Sequence, residues 1–194
     1  TGDSDGELKH IRLADWINAI EQTILWLKES HPDKPITLIS MRLGCLLAQQ
    51  LARQETLITR QVFWQPVIQG KLHMQQFIRL LIARNMDDDS DGRMNTSDYI
   101  QRLHEGETLE VAGYLLSPEL YQDICELNLN VNTIADKPIT WLELTNTPDR
   151  PLLPASQKLI DNLKECHISV TANTLVGPQF WACQEIADAP ALLN

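Results

Sequence analysis

The amino-acid sequence predicts an α/β fold, a parallel sheet flanked by helices, and three observations carry that expectation. Two short apolar runs, "ITLIS" (36–40) and "RQVFWQPVI" (60–68), stand either side of the helical stretch "RLGCLLAQQLARQ" (42–54). A second pair, "ITWLEL" (139–144) and "HISVTANTLV" (167–176), stands either side of "ASQKLIDNLKEC" (155–166). With 194 residues, 43% apolar and 22% charged, the chain holds one good core and is too short for two full domains. Strands separated by single helices imply parallel pairing with right-handed crossovers, which is an α/β sandwich.

The elements follow in order. Leu13, Trp16, Ile17, Ile20, Ile24 and Leu27 recur at helical spacing, with charges between them, and predict a helix over residues 13–29. "HPDKP" ends it, because proline disfavours helix at its own position and just before. "ITLIS" is continuously apolar and β-branched, which suits a strand covered on both faces. After the second strand the character changes. Residues 68–130 hold the helical pieces "HMQQFIRLLIARNM", "SDYIQRLHEG" and "SPELYQDICELNL" around an acidic loop, "DDDSDG". Regular alternation resumes at "ITWLEL", and a final helix is expected from about Phe180. The expected organisation is a core over 1–67 and 131–194 with a helical cap inserted over 68–130. Open α/β sheets bind ligands at the carboxyl ends of their strands, where such an insertion would sit. The first strand would be an uncovered apolar edge, open to pairing with a second copy.

Composition excludes several classes. A net charge of −10 argues against nucleic acid or an anionic membrane as partner. No stretch approaches the roughly 18 apolar residues that a membrane span needs. The acidic start "TGDSDGELKH" is no signal peptide. Cys45, Cys125, Cys166 and Cys183 form no CxxC pair, and three of the four read as buried reduced thiols in a cytoplasmic protein.

The segments "TGDSDG", "SMRLGCLLAQQLA", "FWQPVIQGKLHMQQFIRLLIA", "EGETLEVAGYLLSPEL" and "PQFW" resemble the exosortase A system-associated hydrolase 2 type, within the α/β-hydrolase superfamily. The resemblance covers nearly the whole chain. It implies the C-terminal part of an α/β-hydrolase-like fold with a helical cap. It also implies that the chain is N-terminally truncated, with strands missing before "TGDSDG". The implied setting is exosortase and exopolysaccharide systems. The expected partners are a small acidic or ester ligand, or a protein of those systems.

In that fold "SMRLG" is the nucleophile elbow, where G-x-S-x-G projects a strained central serine between small neighbours. Ser40 and Gly44 keep the neighbours small, but the central residue is Arg42, which stays protonated and cannot attack. The resemblance implies arginine here in the related proteins too. Cys45, in the first helical turn, is the nearest alternative nucleophile, since a helix N-terminus lowers a thiol pKa. Asp149, in "TNTPDRP", is near the place expected of the acid and equally suits a turn. No histidine follows the last strand; "PQFW" stands there. Of His10, His31, His73, His104 and His167, only His73 and His104 lie in the insertion, within reach of a cleft. The leading expectation is therefore a degenerate triad used for binding. Its alternative is an active esterase or acyl hydrolase with a non-standard nucleophile. Arg42 would hold a carboxylate, phosphate or acidic sugar, or else pair with Asp149 or Glu143, the slightly preferred reading.

Two further motifs stand out. Asp87, Asp89, Asp91, Gly92, Asn95 and Asp98 occupy positions one, three, five, six, nine and twelve of a near-EF-hand loop. Aspartate at the twelfth position tilts such a loop from calcium towards magnesium. Its bland reading is a solvated loop, and no other cofactor is expected. Of Trp26, Phe63, Trp64, Trp141, Phe180 and Trp181, most read as core. Trp64 and Trp181, at strand ends, are kept as ligand-binding candidates.

Overall fold

The computed structural model describes residues 5–84, 94–182 and 192. They fall into two compact units, Ile24–Ile68 with Asn128–Asn194, and Thr1–Thr23 with Gln69–Leu127.

The first unit is built on a parallel sheet of β1 (Ile36–Met41), β2 (Ile58–Trp64), β5 (Ile139–Thr145) and β6 (Val170–Val176), in the order β1-β2-β5-β6. Helix α2 (Gly44–Ala52) connects β1 to β2, and α6 (Pro154–Glu165) connects β5 to β6. Every strand–helix–strand step thus returns in the same direction, as the alternation of patterns requires. Leu46, Leu51, Ile58, Phe63, Trp141, Ile160 and Leu163 are fully buried. Each contributes on the order of 1.5–3 kcal/mol relative to exposure. Phe63 and Trp141, on neighbouring strands, meet edge to face at 5.8 Å. One polar cluster lies inside this core. The Gln49 amide donates to Gln61 Oε1, and Gln49 Oε1 accepts from the Ala135 N–H at 2.9 Å.

Strand β1 is the open edge that the sequence predicts, but it lacks the cover expected on both faces. It stands at the sheet edge, paired only with β2 among the described residues, and Ile39 is 62% exposed. An apolar run shows that a strand suits cover on both faces, not that a layer lies over each, and Ile39 stays exposed. Helix α1 (Leu13–Ser30) keeps its predicted face half-buried, yet only Ile24 is buried outright and Trp26 is 61% exposed. Trp26 is therefore surface and not core. Cysteine burial also differs from expectation. Cys45 is buried, Cys125 half-buried and Cys166 exposed, while Cys183 lies outside the described residues.

In the second unit α3 (Gly70–Arg84), α4 (Thr96–His104) and α5 (Pro118–Cys125) replace the three helical pieces read from sequence. Between α4 and α5 stands an antiparallel hairpin that the sequence reading missed, β3 (Leu109–Val111) with β4 (Tyr114–Leu116). Ala112 and Gly113 both take positive φ (51° and 85°), which two-residue hairpin turns of this twist demand. The alternation in "LEVAGYLL" was the available signal. Arg12 donates to both carboxylate oxygens of Asp123 at 2.8 and 2.9 Å, which ties the first residues into this unit. Arg12 holds the Asp123 carboxyl below the usual range.

Candidate functional site

The turn between β1 and α2 is an elbow. Arg42 sits at its apex with φ +53°, a left-handed conformation that costs a non-glycine residue about 1–2 kcal/mol. Hydrogen bonds to the end of β2 and the loop beyond it hold the strain in place. The Arg42 N–H donates to the Trp64 carbonyl (3.0 Å), and the Arg42 carbonyl accepts from Cys45 N–H and Val67 N–H (3.2 Å each). Beneath it, Ser40 is buried and donates to the Val62 carbonyl at 3.2 Å. Leu43 at the N-cap of α2 makes no side-chain cap bond, and the Cys45 and Leu46 N–H groups donate to the Arg42 and Leu43 carbonyls, so the helix's positive end lies beside Arg42.

The guanidinium is half-buried. Its Nη1 donates to the Gln65 carbonyl at 3.3 Å, and its Cζ lies 5.3 Å from the centre of the Trp181 ring. Phe180 meets Trp181 edge to face at 5.1 Å. Gln65 is itself fixed from three directions. It has φ +46°, its N–H donates to the Leu142 carbonyl (2.6 Å), and its Oε1 accepts from Leu144 N–H (2.8 Å). Burial draws the Arg42 pKa down from the ordinary arginine value, and no carboxylate among the described residues offsets that loss of solvent. Arginine remains protonated at neutral pH even so. The site therefore presents a cation held by Gln65 and Trp181, with no anionic partner among the described residues.

The preferred sequence reading, an ion pair from Arg42 to Glu143 or Asp149, is not what the structure holds. Glu143 is buried on β5, where its carboxylate accepts from Trp141 Nε1 (3.2 Å) and from Leu153 N–H (2.8 Å), pinning the approach to α6. Asp149 is exposed in the loop after β5 with φ +58°, a turn conformation that aspartate tolerates. Cys45 is fully buried and donates to the Ser40 carbonyl at 3.4 Å. Burial pushes its thiol up to about 12, against which the helix terminus and Arg42 count for little. A thiol so placed packs; it is not ionised at neutral pH.

The structure brings Trp181 to Arg42, whereas Trp64 serves the elbow through its backbone carbonyl. In the sheet unit, His31 and His167 precede β1 and β6, at the amino ends of the strands and opposite the elbow. His73 and His104 belong to the other unit, where His104 lines a hollow with Arg12, Tyr121 and Asp123. Asp87, Asp89 and Asp91 lie outside the described residues. Asn95 and Asp98 form a capping box that starts α4. The Asn95 side chain accepts from the Ser97 and Asp98 N–H groups, and Asp98 accepts from Asn95 N–H at 2.7 Å. The described residues contain no cluster of three metal-ligating side chains. Gln65 was missed by the sequence reading, and nothing in "WQPV" marks its side chain as the clamp on β5.

A parallel sheet flanked by helices, with a strained strand–elbow–helix turn, is an α/β-hydrolase fold. A thermostable carboxyl esterase from Bacillus coagulans superposes with a TM-score of 0.52 at 11% identity, over 83% of this chain and 62% of that one. A Pyrococcus furiosus esterase gives 0.49 at 17% identity, over 81% and 51%. An α/β-hydrolase fold protein of unknown function gives 0.46 at 14% identity, over 92% and 65%. At such identities the likeness concerns the fold alone, and the chain spans about half to two-thirds of these proteins' lengths. No family model and no curated protein matches the sequence. No helix among the described residues is long and apolar enough to cross a membrane.

Proposed function

We propose that this chain uses its elbow to bind an anionic ligand instead of hydrolysing an ester. The observation that carries the reading is Arg42 itself. It occupies the apex where a nucleophile would stand, half-buried with its Cζ over the Trp181 ring, and with no carboxylate partner among the described residues. A desolvated, unpaired cation is costly to hold, and an anion from solution relieves that cost. The positive end of α2 adds to the attraction. The protonated thiol of Cys45 and the amino-end positions of His31 and His167 favour binding over acyl transfer. The sequence resemblance supports a role as a cytoplasmic accessory protein of an exosortase or exopolysaccharide system.

Two measurements on the full chain test the reading. A fluorophosphonate probe and short-chain nitrophenyl esters should give neither labelling nor turnover above buffer. Small anions, tested at constant ionic strength, should raise the melting temperature of the wild type and not of Arg42→Ala, because a ligand that binds only the folded state stabilises it. Covalent labelling of any serine or cysteine, with turnover lost when that residue is replaced, would overturn the proposal.

A further inference from the structure

Resting on that reading, we propose that Gln65 is the positioning residue of the anion site. Its side chain replaces its own backbone carbonyl in the sheet and so frees that carbonyl to hold Arg42. The register shows the exchange. Strands β2 and β5 pair with Trp64 opposite Leu142, and the Gln65 N–H donates to the Leu142 carbonyl at 2.6 Å, the next bond of a parallel ladder. In a regular ladder the following bond would run from the Leu144 N–H to the Gln65 carbonyl. Here the Leu144 N–H donates to Gln65 Oε1 instead, at 2.8 Å. The backbone carbonyl has left the ladder and accepts from Arg42 Nη1 at 3.3 Å.

The local backbone makes the exchange possible. Gln65 takes φ +46°, in the left-handed region, which turns its carbonyl away from the line of the strand. Pro66 has no N–H, so the peptide between them makes no donor bond and takes its direction from Gln65. Leu144 is buried, and its N–H needs an acceptor. The sheet supplies one bond to that N–H whether the acceptor is the carbonyl or the carboxamide of Gln65. The strained turn therefore adds nothing to the ladder. What it adds is an acceptor beside the elbow.

That acceptor bears on binding because a long side chain must be ordered before it grips a ligand. The bond to Gln65 orders the guanidinium in advance and uses one of the five N–H donors that an arginine carries. A carbonyl does this without neutralising the cation, as a carboxylate in its place would.

The test measures the affinity of the full chain for sodium acetate and sodium sulfate, at constant ionic strength against chloride, from the concentration dependence of the melting temperature. Gln65→Met keeps the length of the side chain and loses the amide oxygen. It should bind whichever anion stabilises the wild type about two- to tenfold more weakly, the cost of ordering one long side chain. The Arg42 Nε–H resonance, assigned by its disappearance in Arg42→Lys, should exchange faster with water in Gln65→Met. The Leu144 N–H, returned to the Gln65 carbonyl, should stay protected from exchange. Gln49→Leu is the control: it removes another buried glutamine of the sheet unit, lowers stability, and should leave anion affinity as in the wild type. Wild-type affinity in Gln65→Met, or an equal loss in Gln49→Leu, would overturn the positioning role while leaving anion binding through Arg42 intact. Loss of protection at Leu144 would overturn the exchange of carbonyls. No saturable response of the wild type to either anion would bring down both this inference and the reading beneath it.

Discussion

Gly44 and Gly70 each open a helix, α2 and α3, and the same replacement by alanine should change stability in opposite directions at the two positions. Helix propensity alone predicts a gain at both, since alanine is favoured over glycine by up to about 1 kcal/mol in a helix. A Cβ at Gly44 would have the Ser40 Cβ as its nearest neighbour, at 4.0 Å, an ordinary contact. Gly44→Ala should therefore stabilise by about 0.4–1 kcal/mol, largely by restricting the unfolded chain. At Gly70 the added Cβ would lie 1.8 Å from the Ile124 carbonyl oxygen and 3.1 Å from that of Leu127. Real Cβ contacts stay beyond 3.0 Å, so α3 and the end of α5 must part by more than 1 Å. Both obstacles are backbone, and no rotamer change relieves them. The movement also pulls on the bond from Gly70 N–H to the Leu127 carbonyl, 2.9 Å long. Overpacking of about 1–3 kcal/mol, plus a weakened buried hydrogen bond of similar size, outweighs the propensity gain. The expected net loss is about 2–4 kcal/mol. Urea unfolding followed by far-ultraviolet circular dichroism measures both variants on one scale. Gly70→Ala as stable as wild type would refute the close approach of α3 to α5, and with it the reason for glycine there.

Three further predictions concern the cysteines and the buried glutamine cluster. Iodoacetamide at neutral pH should modify Cys166 quickly, Cys125 slowly and Cys45 only on unfolding, read by peptide mass spectrometry. Because burial raises the Cys45 thiol from 9.0 to about 12, the unfolded state gives up its proton first. Cys45 should therefore cost stability as pH rises from about 9 to about 12, a slope that Cys45→Ala lacks. Gln49→Leu should destabilise by about 2–4 kcal/mol in urea titration, because it strands the Ala135 N–H and Gln61 Oε1, both in buried residues. A neutral result would mean that water reaches the cluster.

The order of strands and helices was legible in the sequence because each element must bury one face or stripe against another layer, and that need is written in the spacing of apolar residues. The elbow was legible for a similar reason. Ser40 and Gly44 are the small neighbours that a sharp turn asks for, and the turn does place Arg42 at positive φ. The hairpin at 109–116 was only faintly written, since three-residue strands carry too few alternations to stand out from the helices around them. Burial of α1 and β1 was misjudged because periodicity says which face is apolar but not whether anything covers it. Amphipathicity and β-propensity are local properties carried by the sequence itself. Partner choice is not local. Glu143 turned to Trp141 and Leu153, residues two and ten positions away, and is not the partner of Arg42. Trp181 reached Arg42 across 139 positions of chain, although β1 and β6 stand at opposite edges of the sheet. Which charge is paired and which is left open depends on distances that exist only after the chain has folded.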